Sequence, residues 1–266
     1  MQAVTSQDGT TIASDRSGSG PALILVYGAT GVRSHPMWTD LVSRLEPHFT
    51  VYSYDRRGRG DSGDTAPYAV DREIEDLAAA VDAAGGSAHL YGISSGAVLA
   101  LDAANALKGR VTKLALYEPP FILDDSRAPL PGDYVAQLDA AIAGGQRGDA
   151  VEIFMTQAVG IPAEYLDGMK ADPWWAETEA VAHTIAYDGR VMGDTMSGQP
   201  LPPGKWDGAR MPTLVMTGGN SEPFFHDSAR ALVSLLPDAS HRTLAGQDHG
   251  IAGEALAPVL VEFFNG

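Results

Sequence analysis

The stretch His89–Ala100, HLYGISSGAVLA, decides how the rest of the chain is read. It joins an apolar, strand-like run to a helical pattern of small residues, and the join carries Gly92-Ile93-Ser94-Ser95-Gly96. Alone, a G-x-S-x-G string is a weak signal, because glycine and serine are common in loops. Here it sits between strand and helix, which is the setting a nucleophile-presenting turn requires. Such a turn forces its central residue into strained backbone, and the glycines on either side let strand and helix approach. The residue so displayed is Ser94. Ser95 opens the helix, which lets its backbone N–H point at a substrate carbonyl oxygen. The plainer alternative is a tight strand-to-helix turn with a capping serine.

Working outward, short apolar runs recur: ALILVYG (22–28), FTVYSYD (49–55), AHLYGIS (88–94), VTKLALY (111–117), MPTLVMT (211–217) and SHRTLAG (240–246). Most are continuous rather than alternating, as expected of parallel strands covered on both faces. Between them lie helical patterns over 71–84, where Ile74, Leu77, Ala78 and Val81 fall at helical spacing before Gly85-Gly86, and over 95–107, 224–236 and 254–264. The N-terminal 3–15 reads as a hairpin turned at Asp8-Gly9. This alternation predicts an α/β protein with an open, mostly parallel sheet. The interval from Tyr117 to Met211 breaks the rhythm, with mixed helical patterns, Pro/Gly-rich loops and the Trp174-Trp175 pair. The expectation is a core of residues 1–120 and 209–266 with a helical cap inserted at 121–208; a longer crossover is the simpler alternative.

A nucleophilic Ser94 needs a base and an acid, in chain order serine, acid, histidine. Of seven histidines, His249 in GQDHGI lies in the loop after the last strand-like run, where an imidazole reaches the turn across the sheet's C-terminal edge. The acid has two candidates. Glu118 in YEPPF stands at the tip of the strand after the turn's helix, stiffened by two prolines. Glu222 in GGNSEPFF follows the next strand. Position favours Glu118 and leaves Glu222 open.

With 18 basic and 34 acidic residues, the formal charge is −16. A field of that sign argues against nucleic acid and anionic membrane partners. The chain has no cysteine, which excludes disulfides and thiolate chemistry. There is no basic region followed by an apolar core at the N-terminus, and no run near the roughly 18–20 apolar residues that span a bilayer, so a cytoplasmic protein is the expectation. The arginines of GRGDSG (58–63 with Arg56 and Arg57 before it) lack the phosphate-loop lysine pattern and read as a turn. Asp124-Asp125 has no partner at metal-ligand spacing, so no metal is expected. A homo-oligomer stays open.

Three motifs together, YDRRGRGDSG (54–63), the Ser94 turn and HRTLAGQDHG (241–250), resemble the α/β-hydrolase superfamily over essentially the whole chain. The glutamate after the sixth strand looks like that of the zearalenone-type lactone hydrolases, a resemblance that adds weight to Glu118 as the acid. By resemblance the oxyanion hole is the N–H of Gly28 or Ala29 together with that of Ser95. The chain departs from the common pattern at Tyr27, where many members have histidine before the glycine, and at Ile93, which makes the site floor more apolar. Trp174, Trp175 and Tyr187 are candidates to line a pocket under the cap, beside Ile93. The expected activity is serine hydrolysis of a small-molecule ester or lactone without a cofactor. Carbon–carbon hydrolysis, perhydrolysis and hydroxynitrile cleavage use the same triad, and a non-catalytic ligand-binding version of the fold is the rival from another class. Dehalogenase and epoxide-hydrolase chemistry is disfavoured, because those sites carry aspartate where Ser94 stands.

Overall fold

Apolar residues packed into short uninterrupted runs form the middle of one eight-stranded sheet, in the order β1-β2-β4-β3-β5-β6-β7-β8. The computed structural model describes residues 2–266. The strands are β1 (Gln2–Thr5), β2 (Thr11–Gly18), β3 (Ala22–Val26), β4 (Thr50–Tyr54), β5 (Ala88–Ile93), β6 (Val111–Tyr117), β7 (Thr213–Gly218) and β8 (Ala239–Leu244). β1 and β2 form the expected hairpin, and β2 adds antiparallel to β4; every later pairing is parallel. β4 and β7 are buried along their whole length, so neither face needs polar residues and no alternation arises. β8 lies at the edge, and its Ser240, His241, Arg242 and Thr243 are accordingly polar.

Helices cover both faces. α1 (Pro36–Leu45) and α10 (Gly253–Asn265) pack on one, and α2 (Val70–Ala83), α3 (Ser95–Ala106) and α9 (Pro223–Leu235) on the other. α1 lies outside the helical patterns expected from the sequence, although it carries start signals. Proline stands at its first position, and the His35 ring before it accepts the Met37 N–H at 3.3 Å. α3 is rich in glycine and alanine because it runs hard against the sheet: a Cβ on Gly92 would stand 2.5 Å from Gly96 O, and one on Gly96 2.5 Å from Tyr27 O.

Between β6 and β7 the described residues contain no strand. The segment holds α4 (Tyr134–Ala143), α5 (Arg147–Ile153), α6 (Leu166–Met169), α7 (Pro173–Ala180) and α8 (Ile185–Met192), with short irregular turns of helix among them. Tyr134, Leu138, Val151, Trp175 and Ile185 form a hydrophobic cluster of their own here. α8 faces both ways: Ile185 and Ala186 belong to that cluster, while Val191 and Met192 join the core on the sheet. No helix among the described residues is long and apolar enough to cross a membrane.

Candidate active site

Ser94 sits between β5 and α3 with φ 56° and ψ −131°, a conformation non-glycine residues rarely adopt. Its N–H donates to Tyr117 O at 2.9 Å, which locks the turn to the end of β6. Glu118, the next residue along from that anchor, is also left-handed, with φ 48°. Its N–H bonds Met216 O on β7 at 3.0 Å. Of the three non-glycine residues at positive φ, the third being Thr30, Ser94 and Glu118 are both held by neighbouring strands, which is how a fold sustains local strain.

Glu118 is wholly buried, and its carboxylate is fully engaged. Oε1 accepts the Gly218 N–H at 2.7 Å and Oε2 accepts Nδ1–H of His249 at 2.7 Å. The bond to a carboxylate, which offers no proton when ionised, fixes the tautomer of a neutral His249 ring and leaves Nε2 as the acceptor. The loop bearing His249 is tied down by Tyr117, whose hydroxyl donates to Asp248 O at 2.5 Å. The Phe225 ring stacks on the imidazole with centroids 4.8 Å apart. Among the described residues Ser94 Oγ has no hydrogen-bond partner.

Ser94, Ser95, Gly28, Ala29 and His249 all line one cavity of about 560 Å³. Most of its remaining wall is apolar, from Trp38, Ile93, Leu130, Phe154, Met192 and Phe225 among others. Arg127 and Glu222 are charged residues on that wall. Burial lowers the Arg127 pKa, against the raising influence of Glu222; its guanidinium lies 4.2 Å over the Phe224 ring. Glu222 is the residue preceding α9 and makes no hydrogen bond to His249, so it is Glu118 that the fold brings to the imidazole.

The aromatic expectations divide. Trp174 and Ile93 line the cavity; Trp175 and Tyr187 do not, which corrects their reading as pocket residues. Trp175 is buried inside the α4–α8 cluster, with its indole N–H on Glu179 at 3.0 Å. Adjacent helical positions point about 100° apart, so one tryptophan of the pair faces the cavity and the other the helical core. Tyr187 stacks face to face on Tyr68 with centroids 3.7 Å apart, and its hydroxyl donates to Asp64.

Several cavity-lining residues carry no sequence signal, Asp188 among them. Asp188 on α8 is buried, accepting from Ser95 Oγ at 2.7 Å, Arg56 at 2.6 Å and Arg59 at 2.5 Å. Burial would raise its pKa, but the Arg56 and Arg59 charges outweigh that and hold the carboxyl below its ordinary range. The arginines of the 54–63 motif are thus buried ion-pair partners: Arg56 also grips Glu73 twice at 2.7 Å, and Arg57 pairs with Asp76. No periodic signal marks Asp188, whose carboxylate meets its partners only across distant segments.

A family model for the Alpha/beta hydrolase family matches residues 23–259. The chain belongs to that family. The structure of an alpha/beta hydrolase from Sphaerobacter thermophilus is similar at 53% identity, over 99% of this chain and 100% of that one, with a TM-score of 0.90. Polyketide synthase ThaQ of Burkholderia thailandensis is 31% identical over 94% of this chain, which spans 12% of the synthase. Lipase LipV of Mycobacterium tuberculosis is 31% identical over 63% of this chain and 59% of its own length.

Proposed function

We propose that this protein is a cofactor-independent serine hydrolase of carboxylic esters or lactones. The observation that carries the reading is the buried Glu118 carboxylate bonded to His249 Nδ1, with both His249 and the strained Ser94 on the wall of one largely apolar cavity. Ser94 Oγ attacks the carbonyl carbon while His249 Nε2 takes its proton, and Glu118 orients the ring and stabilises the imidazolium. The Ser94–His249 hydrogen bond forms when substrate occupies the cavity, as catalytic bonds commonly tighten on binding. Backbone N–H groups of Ser95 and of Gly28 or Ala29 receive the charge on the tetrahedral oxygen, often the largest catalytic contribution. The imidazolium then protonates the departing alkoxide. Water, deprotonated by the same ring, attacks the acyl-Ser94 and releases the acid; a lactone leaves as one ring-opened hydroxy acid. The acid directly after β6 is the placement that resembles the zearalenone-type lactone hydrolases, and residues 121–208 serve as a cap over the cavity.

The test is covalent labelling with a fluorophosphonate beside turnover of an ester and lactone panel. Wild type should be labelled and active, while Ser94→Ala should be neither. Labelling that survives Ser94→Ala overturns the nucleophile; tight reversible ligand binding with no turnover of any panel member favours the non-catalytic reading.

A further inference from the structure

We propose that Asp188 is a positioning residue for the oxyanion hole, holding Ser95 directly and the Gly28–Ala29 peptide through Arg59. This rests on the serine-hydrolase reading above. Asp188 comes from α8 in the helical segment, yet its carboxylate ends beside the turn that carries Ser94. Oδ1 accepts the Ser95 hydroxyl at 2.7 Å, and Oδ2 accepts Arg59 Nη2 at 2.5 Å. The other end of the Arg59 fork, Nη1, donates to Gly28 O at 2.7 Å. In a trans peptide the C=O and N–H point opposite ways. Drawing Gly28 O toward Arg59 therefore turns the Ala29 N–H away from the guanidinium, and Ala29 lines the cavity with Ser94. The Tyr27 carbonyl is drawn the same way, accepting Arg56 Nη1 at 3.4 Å, so the Gly28 N–H is also turned from the arginines and stands beside Ala29 as a donor on this side. Gly28 itself is the close neighbour of the nucleophile: a Cβ there would stand 3.0 Å from Ser94 Cβ.

Both backbone walls thus converge on one carboxylate. The arrangement is stiff because it is closed and neutral: Arg56 and Arg59 are matched by Asp188 and Glu73, all buried. Arg56 Nη1 donates to the Asp188 Oδ1 that also holds Ser95, while its Nε and Nη2 are fixed by Glu73 on α2. Asp188 is consequently held from two sides and cannot follow Ser95 if the turn relaxes. A purely structural ion pair has no need of the Ser95 hydroxyl. A consequence is that the helical segment between β6 and β7, through α8, sets the geometry in which charge is stabilised, not only the shape of the cavity.

The test compares Ser95→Ala and Asp188→Asn with wild type on a p-nitrophenyl ester, reading kcat and KM separately, and on binding of an alkyl boronic acid, whose adduct with a serine is tetrahedral. Ser95→Ala removes one tether and leaves the ion pairs intact, so its thermal midpoint should stay near wild type. We expect kcat to fall roughly tenfold to a hundredfold with KM unchanged, less than the loss of a whole oxyanion donor. Boronic acid affinity should fall by a similar factor. Asp188→Asn should fall further. Wild-type kcat in Ser95→Ala, or a loss confined to KM with boronic acid affinity intact, overturns the proposal while leaving the serine-hydrolase reading standing. A wild type that neither turns over esters nor takes the fluorophosphonate removes both.

Discussion

Two side chains at positive φ, Ser94 at 56° and Glu118 at 48°, carry the chemistry proposed here. Strain of this kind costs on the order of 1–3 kcal/mol at each position. Ser94→Gly removes the Cβ that makes the turn unfavourable, so it should raise the thermal midpoint by a few degrees, about 1 kcal/mol, while abolishing turnover; a scanning calorimetry trace beside an ester assay checks both. Glu118→Gln keeps the shape of the side chain but not its capacity to stabilise an imidazolium. It should lower kcat by about 10⁴, whereas Glu222→Gln should stay within about threefold; the reverse order in steady-state kinetics would move the acid to Glu222. Ser94, His249 and Glu118 were legible because each follows a strand-like run, and strand ends are where a parallel sheet presents its functional side chains. Asp188 was not legible, because its role depends on partners more than a hundred residues away in Arg56 and Arg59.

At the scale of elements, β5 and α3 meet with no room for a side chain. Gly92→Ala places a methyl against the Gly96 carbonyl and Gly96→Ala one against Tyr27 O, both backbone atoms that cannot step aside. Each should cost about 3 kcal/mol or more and shift the urea midpoint accordingly, at the upper end of overpacking penalties. β5 also carries His89, whose ring stacks on Phe264 of α10 at 4.8 Å and bonds Thr112 at 2.8 Å. Burial, with a contribution from Lys113, pushes its pKa from 6.5 down to about 4. The unfolded chain takes up the proton as pH falls through 6.5, whereas the folded chain resists until about 4. Its contribution to stability is therefore complete above pH 6.5 and is lost between there and pH 4. His89→Gln should flatten that part of the stability curve, read from urea midpoints across the window.

Across the whole molecule, the hydrophobic residues divide between the two faces of the sheet and a separate cluster within α4–α8. Leu138 is fully buried in that cluster, and Leu138→Ala should cost about 2–5 kcal/mol. Because the cluster is separate, the loss should appear first as faster amide exchange in α4–α8, with β3–β7 protected nearly as before. Equal acceleration in both regions would show instead that the helices and the sheet unfold as one unit.

The sequence by itself determined the alternation of buried runs and helices, the parallel sheet and the strained turn at Ser94, because hydrophobic periodicity and glycine placement act over a few neighbouring residues. It also ranked Glu118 ahead of Glu222 by position. Tertiary structure alone decided that the Glu118 carboxylate meets His249, that Trp174 faces the cavity while Trp175 does not, and that Arg56 and Arg59 close on Asp188. Those outcomes depend on which distant groups come within hydrogen-bond range once the sheet is assembled. A buried charge must find its partner across the fold, and local pattern does not record which partner that is.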